Sequence, residues 1–497
     1  MQEGAAVQIS ADPIAVAAFL GYLAVILAIG VLSARFSSAG VSEFFVGGRK
    51  MHRFVVALSA VVSGRSAWLL LGVTGMAYSI GAGAVWAVTG YITAEVFLFL
   101  FYARRLRYFS EAHDCVTVPD FYAARFGDRD GLLRSVLIAI ILIFMVGYVS
   151  AQFVGGGKAF AASFGMHPTF GVLLTALIVL AYTAMGGFLA VSLTDTVQAC
   201  FMIVALVVVP AIAILDRGGL LAVVNELKAF DPTAIDPFAL SAGVIIGFLG
   251  IGLGSPGNPH IVVRYMSIAD SDQLRTSAVV GTVWNVVMAW GAVFIGLAGR
   301  VYFPDVAMLP DADTEQLYPL LAAQHLHPVA FGVVVASIFA AIMSTADSQL
   351  LVATSSVVRD FYEKILHRGE EIPQERLVLY SRIAVVLLVT AALVVGLLAE
   401  ALVFWLVLFA WAGLGASFGP TSILALYWRG TTRAGVIAGL LTGTAITFVW
   451  ELTPWLSSRL YELIPAFLGG LLATLIVSRL TRPPEGVDGL FAGMKSQ

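Results

Sequence analysis

Charge is scarce in this chain. Of its 497 residues only 12% are Asp, Glu, Lys or Arg, where soluble domains carry about 25%. Cysteine is scarcer still: Cys115 and Cys200 are the two present. They stand far apart in sequence, which argues against a disulfide and against a metal site. No basic block and no glycine-rich phosphate loop occurs, and a net charge of −3 does not suggest nucleic acid as a partner. Also missing is a soluble stretch large enough for an enzyme. The longest loops, 104–130 and 300–326, are each under about 30 residues, too short for a core of their own. The N-terminus carries no basic residue ahead of the first apolar run. That run is therefore expected to stay as a span rather than be cleaved.

What is abundant is apolar sequence, at 59% hydrophobic and a mean hydropathy of +0.93. This predicts an all-α polytopic protein embedded in a lipid bilayer. Apolar runs long enough to cross, about thirteen of them, lie at 14–34, 54–79, 84–103, 133–163, 168–185, 187–215, 238–262, 277–299, 328–358, 377–399, 401–428, 433–453 and 460–479. The connection at 184–187 is very tight. With the N-terminus outside, the inward loops collect about twenty of the 28 Lys and Arg residues, among them Arg35 and Lys495, as the positive-inside rule requires. The loops 216–236 and 300–326 are rich in Asp and fall outside. An odd number of spans then puts the C-terminus inside, ending in a polar tail at 481–497 that is expected to be without regular structure.

Within the apolar run 328–358, the stretch Ala341 to Gln349 carries Ser344, Thr345, Asp347, Ser348 and an amide. On a helix Ala341, Ser344, Thr345 and Ser348 share one face, and Asp347 borders it. Hard oxygens at bilayer depth suit a hard cation that has shed its water, and Na⁺ is the expected ion. The second span contains Ser63-Gly64-Arg65-Ser66. An arginine near the bilayer centre costs at least about 2.5 kcal/mol on insertion scales, and glycine is weak inside a helix. A broken helix accounts for both, freeing carbonyls for an ion and helix ends for a solute. The seventh span, with glycines at 247, 250, 252, 254 and 257 and with Pro256 and Pro259, predicts a second break. Close packing of small residues between helices would give a similar pattern. The two spans occupy corresponding places in two halves of five, the signature of an inverted-repeat transporter with its site at the midplane.

Four ionisable residues fall well inside spans: Arg65, Glu95, Asp195 and Asp347. Pairing Arg65 leaves two carboxylates to be compensated, by a bound cation or a proton. Glu95 is a natural partner for Arg65, and Asp195 could line an ion path or simply pack. His260 and Arg264, one turn apart toward the cytoplasmic end of their span, are expected to be structural or gating residues together with Glu95. Lys158 is expected to snorkel outward.

The motifs recur in a known order: Gly47-Gly48-Arg49, Ser66-Ala67-Trp68-Leu69-Leu70, Gly186-Gly187-Phe188 through Asp195-Thr196-Val197-Gln198, Pro259-His260-Ile261 with Arg264-Tyr265-Met266, and Met343-Ser344-Thr345 with Ser348-Gln349-Leu350-Leu351. In these the chain resembles the solute:sodium symporter family, most closely its sodium/proline branch. The resemblance implies a five-plus-five core, with repeats at 54–215 and 238–428. An extra helix at 14–34 would precede it, and two more at 433–479 would follow. It implies Na⁺-driven uptake of a small solute by alternating access, in the cell membrane; the sequence leaves the oligomeric state open, with a monomer the expected functional unit. The sodium site would use the carbonyls of Val62, Arg65 and Ala341 with the hydroxyls of Ser344 and Thr345. A second site, present in some members, maps to Asp195, Ser344, Asp347 and Ser348. The solute side maps to Ser63, Gly64, Arg65, Ser66, Trp68, Tyr148, Ile251 and Ser255. Here the chain departs from the proline branch, which has an Asp at Gly64 and a Met at Arg65. An amino acid or organic carboxylate meeting Arg65 is one expectation. Neutralisation of Arg65 by Glu95 is another, and Arg65 serving as a built-in cation for proton- or exchange-driven transport is a third. A non-transporting membrane sensor on the same fold is the remaining alternative.

Overall fold

The computed structural model describes residues 12–34, 41–183, 187–398 and 402–493. The expected tight connection at 184–186, the loop position Arg35, the tail residue Lys495 and the first eleven residues lie outside them. Among the described residues the chain is helical, without strands. The elements that matter here are α1 (Pro13–Ala34), α2 (Arg53–Ser63), α3 (Thr74–Ile80), α4 (Val85–Phe97), α5 (Leu132–Phe164), α6 (Pro168–Thr183), α7 (Phe188–Asp216), α8 (Ala242–Gly250), α9 (Pro259–Ser267), α10 (Leu274–Tyr302), α11 (Pro328–Ser355), α12 (Gln374–Leu397), α13 (Val403–Tyr427), α14 (Arg433–Glu451) and α15 (Leu463–Leu480).

Local chemistry sets several boundaries. His52 accepts from the Phe54 amide at the start of α2, and His327 from the Val329 amide at the start of α11, where Pro328 occupies the first turn. Proline is tolerated there because its missing N–H would have no partner inside the helix. Each of the thirteen apolar stretches contains helix among its described residues. By length and composition, ten helices among the described residues can cross a bilayer. The shorter apolar helices are Arg53–Ser63, Pro168–Ala181 and Ala242–Gly257, and the first and last of these belong to interrupted spans.

Both expected interruptions are present. α2 stops at Ser63, Gly64 and Arg65 form a turn, and Ser66 has a φ of 49°. A positive φ on a non-glycine residue is strained backbone of the kind that collects at functional sites. The chain then resumes as a wide π-turn, Trp68–Val73, leading into α3. In the seventh span a tight 3₁₀ stretch, Ile251–Gly257, and an extended Asn258 separate α8 from α9. The flanks of the two broken spans meet in one parallel backbone bridge, between Met51 and Ile268.

Burial sorts the helices. In α11 and α13, 83% of the most apolar window is buried in the protein, against 28–33% in α1, α12, α14 and α15. The first two form the interior, and the others present apolar flanks to lipid. α11 packs on α1, α2, α5 and α7, and α13 packs on the broken stretch 251–257. The tail departs from expectation, because Val487–Gly493 is helical. Asp488 pairs with Arg429 at 2.7 Å, and Phe491 is buried beneath the guanidinium of Arg125, 5.1 Å from the ring centre. A single aromatic anchor and one ion pair dock a segment whose composition alone looked unstructured.

Candidate ion and substrate site

The break after Ser63 exposes carbonyls that an intact helix would have used. α11 crosses at this level and presents its oxygen-bearing face. Ser344 donates to the Val62 carbonyl at 3.4 Å and to the Ala341 carbonyl at 3.2 Å. The Val62 carbonyl also accepts from the Arg65 amide at 3.0 Å, so Arg65 lies one tight turn away. The Arg65 carbonyl accepts from the Leu69 amide at 3.0 Å and keeps a second lone pair. Thr345 is fully buried, and its hydroxyl has no hydrogen-bond partner among the described residues. A buried hydroxyl without a partner costs about 1–3 kcal/mol, which a coordinated cation relieves. Carbonyls and hydroxyls from both elements thus converge, and this donor set fits a hard ion such as Na⁺.

The second expected set is also gathered, with an added member. Asp195 on α7 accepts from Ser59 at 2.6 Å and from Ser63 at 3.2 Å, both through Oδ2. The Ser63 and Ser348 hydroxyls lie 3.1 Å apart, and Ser348 donates to the Ser344 carbonyl at 2.6 Å and to Asp347 at 3.1 Å. Into this group reaches Arg264. Its Nη2 contacts Asp195 at 3.4 Å and also Ser348, its Nε donates to Ser59 at 3.1 Å, and its Nη1 donates to the His260 carbonyl. Arg264 was expected as a structural or gating residue toward the cytoplasmic end of its span, and its charge is found deeper than that position suggests. Its backbone lies on α9, but its long side chain carries the charge back to the ion position. Glu95 joins neither Arg264 nor His260, so the three expected gating residues do not form one group.

Glu95 lies instead with Arg65. Arg65 Nη2 pairs with Glu95, its Nε donates to Asn285 at 2.7 Å, and Asn285 in turn donates to the other oxygen of Glu95. The guanidinium covers the Tyr91 ring at 3.9 Å. Arg65 and Glu95 are almost wholly buried, with side chains 1% and 3% exposed. A buried pair of this kind persists only when its remaining donors and acceptors are satisfied, and Asn285 supplies that.

A small cavity of ≈ 10 Å³ lies on the other face of this triad. Five of the expected solute residues line it: Gly64, Arg65, Trp68, Tyr148 and Ile251. Ser63 faces the ion group instead, Ser66 accepts from the Trp68 amide at 3.0 Å, and Ser255 is buried away from this cavity. The sequence reading missed Tyr91, Val407, Leu408 and Trp411. Tyr91 stands one turn before Glu95 and could have been found by helical spacing. Trp411 gave no signal except indirectly through Gly254, where any Cβ would strike its indole. Trp411 Nε1 donates to the Ile251 carbonyl at 2.8 Å and so closes one end of the cavity. At Gly64 an added Cβ would come within 2.9 Å of Ile261 Cδ1; this space belongs to an apolar side chain, not to an acid.

Charged clusters brace the helices at both ends of α5. At its Phe164 end, Lys158 pairs with Asp313 at 2.8 Å and with Glu315 at 2.6 Å, so it does not snorkel to solvent. Glu315 in turn accepts from the Val403 and Phe404 amides at the start of α13, at 3.0 and 2.8 Å. Burial raises the Glu315 carboxyl, and Lys158 opposes that shift. At the other end Arg134 bridges Asp120, at 2.8 Å, and Asp360. Both clusters tie α5 to other elements.

Comparison with known proteins gives the chain a family and a fold. Residues 44–443 match the model of the sodium:solute symporter family. Sodium/proline symporters from Staphylococcus aureus strains JH9 and NCTC 8325 are each 37% identical over 476 residues, which is 93% of this chain and 92% of theirs. The solved structure of a Na⁺-coupled sialic acid symporter, in a substrate-bound outward-open state, superposes with a TM-score of 0.80 at 18% identity, covering 95% of this chain and 99% of that one. A nucleobase-cation-symport-1 family transporter in a closed conformation superposes with a TM-score of 0.54 at 14% identity, covering 90% and 98%.

Proposed function

The chain belongs to the sodium:solute symporter family, and from that premise we propose how its residues divide the work of a multi-pass Na⁺-coupled symporter. The coupling ion is held by the carbonyls of Val62, Arg65 and Ala341 and the hydroxyls of Ser344 and Thr345. The observation that carries this reading is the junction of Ser344 with the Val62 carbonyl at the break of the second span, beside the buried, unpartnered hydroxyl of Thr345. Ion binding joins α2 to α11, and the same break lines the solute cavity. Occupancy by Na⁺ therefore favours the conformation that accepts solute, which is coupling by population shift. The reading takes the single chain as the functional unit.

The solute is an amino acid or organic carboxylate with a compact apolar body. Aromatic residues Trp68, Tyr91, Tyr148 and Trp411 supply the apolar contact, and Arg65 is the cationic residue of the lining. The sodium/proline symporters named above transport an amino acid of that size. The lining here differs from the proline branch at Gly64 and Arg65, so the solute need not be proline. Uptake into vesicles under an imposed Na⁺ gradient, screened over amino acids and carboxylates, tests the reading. Import of at least one solute only with the gradient supports it, and import indifferent to Na⁺ overturns it. A second reading, in which Arg65 only pairs with Glu95 and Asn285, is favoured by the closed triad. Arg65→Met combined with Glu95→Gln, which strands no charge, separates the two: losing a charged hydrogen bond to the solute should cut carboxylate uptake by roughly tenfold or more, whereas unchanged uptake of every carboxylate leaves Arg65 structural.

A further inference from the structure

Arg264 has no place in the division of work just described, yet it is buried and reaches the middle of the protein. Four elements meet around it: Ser59 and Ser63 come from α2, Asp195 from α7, Arg264 from α9 and Ser348 from α11. Without the guanidinium, the rest of the group is one carboxylate and several hydroxyls at mutual distances of 2.6–3.2 Å. That is the donor set a small hard cation takes. Asp195 Oδ2 faces Arg264, while Asp195 Oδ1 is buried with no hydrogen-bond partner among the described residues.

We propose that Arg264 is a tethered cation filling a second ion position built from Asp195, Ser63 and Ser348, so that a single mobile Na⁺ accompanies each solute. The proposal rests on the reading that Ser344 and Thr345 hold the first ion. The guanidinium already brings a positive charge to Asp195 Oδ2 and to Ser348, and a free cation placed at that position would meet a like charge at close range. Arg65 does not fill this role, because Glu95 already neutralises it. The tether also has a second attachment. Arg264 Nη1 holds the His260 carbonyl, in the first turn after the break in the seventh span. The charge at the second ion position is thereby linked to the helix whose broken stretch lines the solute cavity.

Equilibrium binding of radioactive Na⁺ to the purified full-length protein, with no solute present, tests this. Wild type should bind about one Na⁺ per chain, and Arg264→Gln about two. Asp195→Asn added to Arg264→Gln should return the count to about one. The proposal is overturned if wild type already binds two, or if Arg264→Gln stays at one while melting as wild type does. Should Arg264→Gln not fold, Asp195→Asn with Arg264 in place decides. An unchanged count agrees with the tether, and the loss of one bound ion makes Asp195 a sodium ligand and overturns it. Failure of the first site looks different: wild type would bind no Na⁺, while Arg264→Gln would still gain one.

Discussion

Arg65 and Arg264 are both buried, both face a carboxylate, and both belong to broken membrane-spanning helices, yet their surroundings differ in kind. Arg65 sits in a closed triangle. Glu95 uses one oxygen on the guanidinium and the other on Asn285, and Asn285 completes the circuit on Arg65 Nε. Arg264 sits in an open group, sharing Asp195 Oδ2 with two serines while Oδ1 is left over. A closed network resists change, because breaking any member strands the others. An open one can trade one donor for another at small cost. The same residue type thus sits in a closed network beside Glu95 and in an open one beside Asp195.

The largest expected effect breaks the closed triangle. Glu95→Ala strands Arg65 and should lower stability by about 3–5 kcal/mol, read as a fall in melting temperature in detergent. Arg65→Met combined with Glu95→Gln removes both charges and keeps a partner for Asn285, so it should recover most of that loss. If the double variant is no better than the single, the triangle is not the reason. A smaller effect is expected from the ion side. Thr345→Val keeps the shape and deletes one oxygen, and Na⁺ affinity should fall by about 10–100-fold with melting temperature nearly constant in the absence of Na⁺. Thr345→Ser should bind nearly as wild type.

The oxygen-bearing face of α11 and the breaks facing it were legible in the sequence because polar residues in an apolar helix stand out. Ser344, Thr345, Asp347 and Ser348 stood out by contrast, and the breaks at 63–66 and 250–258 stood out through glycine, proline and a costly arginine. Three things were not legible. Arg264 was assigned by where its backbone lies, although its side chain spans more than a helical turn. Lys158 was read as reaching for water because its partners, Asp313 and Glu315, are more than 150 residues away in a loop. The aromatic lining was half missed because Tyr91 and Trp411 look like any other large apolar residue of a span until the fold turns them inward. Local contrast is visible in one dimension, whereas pairing at a distance is not.

The backbone bridge between Met51 and Ile268 has a mechanical meaning. Met51 donates to the Ser267 carbonyl at 3.2 Å and accepts from the Ala269 amide at 3.1 Å, so the entry of one broken helix and the exit of the other are laced together by main chain alone. The two act as a yoke: neither can swing away at this end without dragging its twin, and an aperture there has to be made by the scaffold around them sliding off the pair. Because the lacing uses no side chain, it persists through any substitution the backbone tolerates.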